Sequence, residues 1–582
     1  MILQALYEYY KRKAADPDSR IAPRGLEWKE IPYLILIDKE GHFLALQDTT
    51  EGSGKQKRAK RFLVIKSKGR SGSNSWQTVN IFWDHFGYVL AQPKHTDTQG
   101  EKKAVEDARK QNDSFVSEVK RIAEKFVKNE EIQAVSRFYG NPENMRQIKT
   151  DPIWEELIKK DGTNVSFKML GSDSIIANDR DITALAVDDS EKKGEETIGI
   201  CLITGKKAPI TLLNSAIAIP GGKSGAKLVG FQKNSGYDSY YKEQGMNAPI
   251  SKEAEDAYTT ALNTLLGKES LNKYRLQDTS VVFWSQKSTM FEDRFSSMFS
   301  APPKDDPDKN VEAIRSFLNS LYTGILTIEG EIPFYVLGLT PNAARISVRF
   351  WRQGTVKQFA GHFLQHFEDL EIIQDENKKK YYSVFNLLTQ VSFQYKLDNL
   401  SPQLVSDLTQ SILDNRSYPT SLQMQCLIRI KADRNITSIR AAILKAYLNR
   451  KFRNVENKPK EITMALDLEN KNQAYLCGRL FAVLEKIQGE AISGANTTIR
   501  DRYYGAASTR PVTVFGRLIS LSSHHLTKLD KGKVIYYTRL LQGVISELNS
   551  DGLPKFLSMD DQSRFAIGYY HQREELWTKK EL

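Results

Sequence analysis

The sequence predicts an α+β protein: a mixed α/β N-terminal part followed by a C-terminal all-α helical bundle. Three observations predict it. The first two-thirds of the chain carries short apolar runs separated by Gly, Pro, Asn and Asp turns, interleaved with helical patterns. After Ser401 the apolar spacing is helical almost throughout. The length, 582 residues, exceeds the roughly 250–300 that a single core serves, so more than one domain is required. The expected division is residues 1–400 and 401–582.

Taken in order, "MILQALYEYYKRKAADP" at the start is an amphipathic first helix. It lacks the basic start, apolar run and small-residue cleavage site of a signal peptide. Residues 31–48 pattern as a hairpin whose turn, Asp38-Lys39-Glu40-Gly41, places glycine where a positive φ is easy. A basic segment follows at 52–75, then "NIFWDHFGYVLAQP" (80–93), expected as a short strand pair. A charged helix covers about 101–130, with Phe115, Val119, Ile122 and Phe126 at helical spacing. "TIGICLITGKKAPI" (197–210) is a strand and a turn, "DTSVVFWSQ" (278–286) a buried strand, and 332–354 two strands around a Pro-Asn turn. Beyond Ser401, helices are expected at 402–413, 420–433, 438–452, 473–492, 511–529, 534–549 and 559–577. In the fourth of these, Leu476, Leu480, Phe481, Leu484 and Ile487 form one packing stripe.

Apolar residues are 40% and charged residues 26%, ordinary for a folded domain. No run approaches the ~18 consecutive apolar residues of a membrane span, so no membrane partner is expected and the location is expected to be cytoplasmic. Cys201, Cys426 and Cys477 are scattered, with neither zinc spacing nor a disulfide framework. The net charge of +12 points to polyanionic partners, nucleic acid first.

"AIPGGKSGAKLVGF" (218–231) raises the question of a phosphate loop. Gly222-Lys223-Ser224 supplies the end of Gly-x-x-x-x-Gly-Lys-Ser, but the first glycine would be residue 217, which is Ile217. The sequence that follows is a poor helix start, and no Mg²⁺ aspartate follows an apolar strand. The motif fails, leaving a basic, glycine-rich turn. Asp84 in "FWDHFGY" has no evident acid–base partner and is expected to be a structural hydrogen-bond acceptor. His524 and His525, expected in mid-helix, lie beside no acid at metal-ligand spacing. No catalytic residue, metal site or cofactor is expected.

Several stretches, among them "FWDHFGYVLA", "CLITGKKAPI", "SGAKLVGFQKNSGYDSYYKEQGMNAPIS", "LGLTPNAARISVRFW", "GRLFAVLEKIQ", "TIRDRYYGAASTRP" and "RFAIGYYHQR", fall in one order along the chain. In these the chain resembles the large subunit of the type I-C CRISPR surveillance complex, Cascade, from end to end. The resemblance implies a non-catalytic subunit of a CRISPR-RNA-guided ribonucleoprotein for antiviral defence. Its implied partners are the backbone subunits, the subunit that holds the CRISPR-RNA handle, small subunits, double-stranded target DNA with its displaced strand, and a helicase–nuclease. The protein would read a short duplex motif beside the target, the PAM, promote R-loop formation and hold the displaced strand, while base pairing reads the sequence. On this reading, 1–400 recognises the PAM and docks the complex, and 464–582 resembles a small subunit. A related implication is an internal translation start at Met464, at the edge of the last helical block.

Three stretches are candidate contacts. In 52–75, Lys55, Lys57, Arg58, Lys60, Arg61, Lys66, Lys68 and Arg70 occur without an acid and can neutralise phosphates. The tip offers Ser71, Ser73 and Asn74 to base edges, with Arg70 able to fork onto guanine. In 221–247, Lys223, Ser224, Lys227, Lys233, Gln244 and Asn247 stand among glycines that allow close backbone approach. In the helical end, Arg479, Lys486, Arg500, Arg502, Arg510 and Lys528 are expected to line a groove for the displaced strand, with Tyr503 and Tyr504 stacking bases. The competing reading, a metal-dependent nucleic-acid-processing enzyme, needs clustered carboxylate ligands that the sequence does not offer.

Overall fold

The computed structural model describes the chain apart from residues 53–57, 68–69, 71–72, 97–99, 187–196, 224, 233–235, 237–239, 302–308, 323–328, 375–380, 454, 457–460, 493–496 and 578–582. Contacts divide it into two units: Met1–Gly267 with Pro341–Ser347, and Lys268–Thr340 with Val348–Leu582.

The first unit is built on a four-stranded sheet in the order Phe43–Asp48, Tyr33–Ile37, Asn164–Met169, Trp83–His85. The 31–48 hairpin forms as its two apolar runs and glycine turn predict, Leu34 opposite Gln47 and Ile35 opposite Leu46. Gly41 in its turn has φ +84°, and a Cβ there would meet the Ala134 carbonyl oxygen at 2.6 Å, so the turn needs glycine twice over. The charged helix runs Glu101–Lys125 and buries Phe115, Val119 and Ile122 against the sheet core with Phe138 and Phe167. Asn129 caps the next helix, Glu130–Gly140, by accepting from the Ile132 N–H. Among the described residues, three two-stranded ribbons accompany the four-stranded sheet: Leu26–Glu30 with Arg61–Ile65, Thr50–Glu51 with Arg58–Ala59, and Ile198–Ile200 with Lys207–Pro209. The helices Ile2–Ala14 and Lys252–Leu266 pack on each other.

Two local expectations are corrected here. Residues 80–93 are not a strand pair: strand Trp83–His85 turns directly into the helix Phe86–Leu90. The cause is a cap, because burial pushes the His85 imidazole down to about 4, leaving it neutral with Nδ1 free to accept from the Gly87 N–H at 3.1 Å. Residues 197–210 hold two strands rather than one.

The second unit carries a sheet in the order Lys273–Leu276, Thr279–Ser285, Pro333–Asn342, Arg345–Thr355; the hairpin tip, 341–347, groups with the first unit. The 279–285 strand is buried throughout, as the apolar run Val281–Trp284 at its centre predicts. The expected helices appear at Pro402–Leu413, Thr420–Asp433, Ser438–Phe452, Gln473–Ala491, Phe515–Leu526, Lys531–Ile545 and Met559–Trp577, joined by Ile499–Ala507. The fold class is therefore α+β with a helical C-terminal region. The contact division falls after Gly267, whereas the helical pattern begins near Ser401. Sheet and bundle share one hydrophobic core running from Tyr274 to Tyr570, so no seam opens where the secondary structure changes.

The helices Gln473–Ala491 and Met559–Trp577 pack closely along their length. A Cβ on Gly478 would lie 2.0 Å from the Phe565 carbonyl oxygen, and one on Gly568 would lie 2.2 Å from that of Tyr475. Two glycines, one on each helix, let the backbones touch.

Candidate nucleic-acid interface

The basic segment 52–75 is anchored at both ends. Arg58 lies in the Thr50–Glu51/Arg58–Ala59 ribbon, Lys60 follows it, and Arg61 opens the strand that pairs with Leu26–Glu30. All three are exposed. Lys66 is turned inward, its Nζ 2.9 Å from both Asp256 and Thr259. Lys55, Lys57, Lys68 and Ser71 lie outside the described residues.

Arg70 occupies a different place from the one the sequence suggests. Its guanidinium forks onto the buried Asp84, with Nη1 2.9 Å from Oδ1 and Nη2 on Oδ2, while Nε donates to the Thr78 carbonyl at 2.8 Å. The ring of Tyr88 lies 4.0 Å from the same guanidinium. Asp84 also accepts from the Asn80 and His85 N–H groups, so it is the structural acceptor that was expected. Arg70 thus holds the base of the loop and does not reach for guanine. On the far side, the Tyr88 hydroxyl donates to the Ser75 carbonyl at 3.1 Å. Between these clamps Ser73 and Asn74 are exposed, and Asn74, the residue before the short helical turn Ser75–Gln77, does not spend its side chain on a cap. An amide held up on a braced loop offers one donor group and one acceptor to a base edge.

Among the described residues of 221–247, no strand–loop–helix order of a phosphate loop is found. After Gly222 the chain closes a turn, Ala226 N–H to Lys223 carbonyl at 3.2 Å, and then pairs Lys227 with Arg345. Lys223 is exposed and Lys227 half-buried, while Ser224 and Lys233 lie outside the described residues. Asn247 turns its amide inward, onto the Lys242 and Gln244 carbonyls at 3.1 and 3.0 Å, and Gln244 is half-buried with φ +46°. This region keeps Lys223 as an outward cation, and Asn247 is a loop brace.

The helical end sorts its cations by burial. Arg479 is 5% exposed, with Nε bonded to Gln572. Lys486 lies 3.1 Å from Glu490 and 4.4 Å from the Trp577 ring, and Arg500 lies 3.7 Å from Glu485. Tyr504 is buried edge-on against Phe481, Phe565 and Tyr569. These four belong to the packing of the bundle. Arg502, Arg510 and Lys528 are exposed, and Tyr503 is half-buried. The structure adds Arg517, exposed on the Phe515–Leu526 helix with its guanidinium 5.9 Å from the Tyr503 ring. A signal for it was present: from Arg502 to Leu529 the chain carries Arg502, Arg510, Arg517 and Lys528 and no acid. His524 and His525 sit in the last turn of that helix rather than its middle. Burial, then Lys528 and His524, press the His525 imidazole downward.

Met464 is exposed between the Ser438–Phe452 and Gln473–Ala491 helices, and its carbonyl accepts from the Ile373 N–H at 2.8 Å. Among the described residues one cluster offers three metal-type ligand atoms within 4.8 Å of one another, Asp38, Glu40 and His42. Asp38 is already spent on the hairpin turn, accepting from His42 N–H at 2.8 Å and meeting its Nδ1 at 2.9 Å. No helix among the described residues is long and apolar enough to cross a membrane.

Comparison with curated proteins finds no match. A family profile described as CRISPR-associated protein, Cas_Csd1, matches residues 6–577. Since the match spans nearly the whole chain, both units included, the protein belongs to the Csd1 family of CRISPR-associated proteins and is a Cascade-type component of a multi-subunit, CRISPR-RNA-guided complex.

Proposed function

We propose that this chain is the non-catalytic large subunit of a type I-C complex, and that its braced 58–75 loop reads the PAM in duplex DNA. The observation that carries this reading is the loop itself. Arg58, Lys60 and Arg61 stand on ribbons where they can sit on phosphates, and Asn74 stands on a tip fixed by Arg70–Asp84 and Tyr88–Ser75. Phosphate contacts position the protein and base contacts specify, so the exposed Asn74 amide between these two anchors, beside a basic ribbon, supplies both parts. Opening of the duplex then exposes a displaced strand, for which Arg502, Arg510, Arg517 and Lys528 with Tyr503 supply charge and a stacking surface. Recruitment of a helicase–nuclease and internal translation from Met464 complete this reading; replacing Met464 by Leu should then abolish a short C-terminal product.

The test is binding of the assembled guide complex to short duplexes that differ only beside the target. Asn74→Ala should flatten the sequence preference. A variant with Arg58, Lys60 and Arg61 changed to Gln should weaken all duplexes alike and lower the salt slope by about 2–3, at roughly 0.9 per phosphate contact. If both variants keep full preference and affinity, the loop is not the reader. A metal-dependent cleavage assay on the chain alone tests the non-catalytic part, and a cut product would overturn it.

A further inference from the structure

The ribbon Ile198–Ile200/Lys207–Pro209 presents an open, apolar edge. Cys201 N–H donates to the Lys206 carbonyl and Ile210 N–H to that of Thr197, each at 2.9 Å. Hydrogen-bonded and non-bonded pairs alternate in an antiparallel ladder. The bonded pairs are therefore 197–210, 199–208 and 201–206. Ile198, opposite Pro209, and Ile200, opposite Lys207, fall between them. Their N–H and C=O groups point away from the partner strand, and no partner for them is found among the described residues. The opposite edge is blunted by Pro209, which has no N–H.

The side chains fit the same picture. Ile198, Ile200 and Leu202 alternate on one side and are 57%, 65% and 56% exposed. Gly199 and Cys201 turn inward: a Cβ on Gly199 would meet Ile210 at 3.0 Å, and Cys201 is buried. The ribbon is also held firmly. Leu202 N–H donates to the Pro249 carbonyl and Thr211 N–H to that of Ile250, while Ile210 bridges Ser251 just before a long helix. An exposed hydrophobic edge strand that is rigid, and blocked on its other side, is a template for another strand.

We propose that this edge receives an extended segment of another protein subunit of the guide-RNA complex, added as a third strand antiparallel or parallel to 198–200. The proposal rests on membership of a multi-subunit complex and not on the DNA-reading assignment. The occupant's chemistry follows from the surroundings. It places alternate apolar residues on Ile198, Ile200 and Leu202. It carries acidic residues at the flank that lies by the turn, because Lys206 and Lys207 are exposed there beside the edge. A nucleic acid would use the charge but leave the backbone edge and the isoleucines unused, so the protein strand accounts for more of what is seen.

Amide hydrogen exchange on the full chain, alone and within the purified guide-RNA complex, tests this directly. Ile198 and Ile200 amides should exchange rapidly in the free chain and slow at least tenfold in the complex. They should stay fast when only guide RNA or duplex DNA is added. Ile200→Pro removes an N–H that none of the described residues uses, so thermal unfolding of the free chain should be unchanged while one protein subunit is lost from the complex; Ile200→Val should retain it. Lys206→Glu with Lys207→Glu should weaken retention of the same subunit. Slow exchange in the free chain, no slowing in the complex, or slowing produced by nucleic acid alone would each overturn the proposal.

Discussion

Replacing Asp84 by Asn tests whether the loop over 70–75 is held by charge. Asp84 is 1% exposed, and the Arg70 side chain that forks onto it is 25% exposed. Asn keeps the shape and one acceptor but leaves the guanidinium without its counter-charge. Breaking a fully buried pair from one side costs about 3–5 kcal/mol. Arg70 is a quarter exposed, so water recovers part of that, and about 2–3 kcal/mol is expected. At a urea slope of about 2–3 kcal/mol/M, the midpoint for the first unit falls by roughly 1 M. Arg70→Lys should give a smaller loss, since an ammonium cannot fork onto both carboxylate oxygens or lie flat on Tyr88. The functional consequence separates this from a plain stability defect. In buffer without urea the Asp84→Asn complex should remain folded, yet its preference among PAM-varied duplexes should flatten as it does in Asn74→Ala, although Asn74 is intact. An unchanged urea midpoint would refute the stabilising role of the pair. A lowered midpoint with full sequence preference would refute the idea that the pair positions the tip.

Other consequences follow from the same geometry. Gly478→Ala should cost about 3 kcal/mol, because its Cβ would fall 2.0 Å from a backbone oxygen that cannot give way, whereas Gly489→Ala on the same helix has open space and should gain up to about 1 kcal/mol; thermal denaturation ranks the two. Burial pushes the His366 and His571 imidazoles down to about 3. Since their unfolded value is about 6.5, the unfolded chain binds the extra protons first; stability is intact above about pH 6.5 and is lost progressively toward pH 3, by about 2 kcal/mol per histidine at pH 5. Urea midpoints at pH 7 and pH 5 measure it, and Tyr475→Phe should leave the His571 share in place, because burial and not its 3.0 Å hydrogen bond is the cause. Changing Arg510, Arg517 and Lys528 together to Gln should lower the salt slope for single-stranded DNA by about 2, at roughly 0.7 per contact, while Arg479→Gln should lower the melting temperature and leave the slope alone. The reverse pattern would show that the bundle opens to bind DNA.

Periodicity alone determined most of the fold. The apolar runs that flank the turn in 31–48 and the Val281–Trp284 run become strands, and stripes such as Leu476–Leu480–Leu484 become packed helices, because short apolar runs bounded by turns and a side-chain period of 3.6 both mark faces that must leave water. The order of distinctive blocks likewise determined the family. The sequence alone could not show which basic residues reach solvent. Arg70 and Arg479 look no different from Arg61 and Arg510 when written as letters. Their roles diverge only when the fold brings Asp84 under one and Gln572 under the other. Asp84 lies fourteen residues beyond Arg70 and Gln572 lies ninety-three beyond Arg479. No local pattern encodes such pairings; they depend on which elements pack together. The same holds for the unit boundary. The change of pattern at Ser401 is real, yet burial is a property of packed surfaces and not of secondary structure, so sheet and bundle close over a single core and the division falls at Gly267 instead.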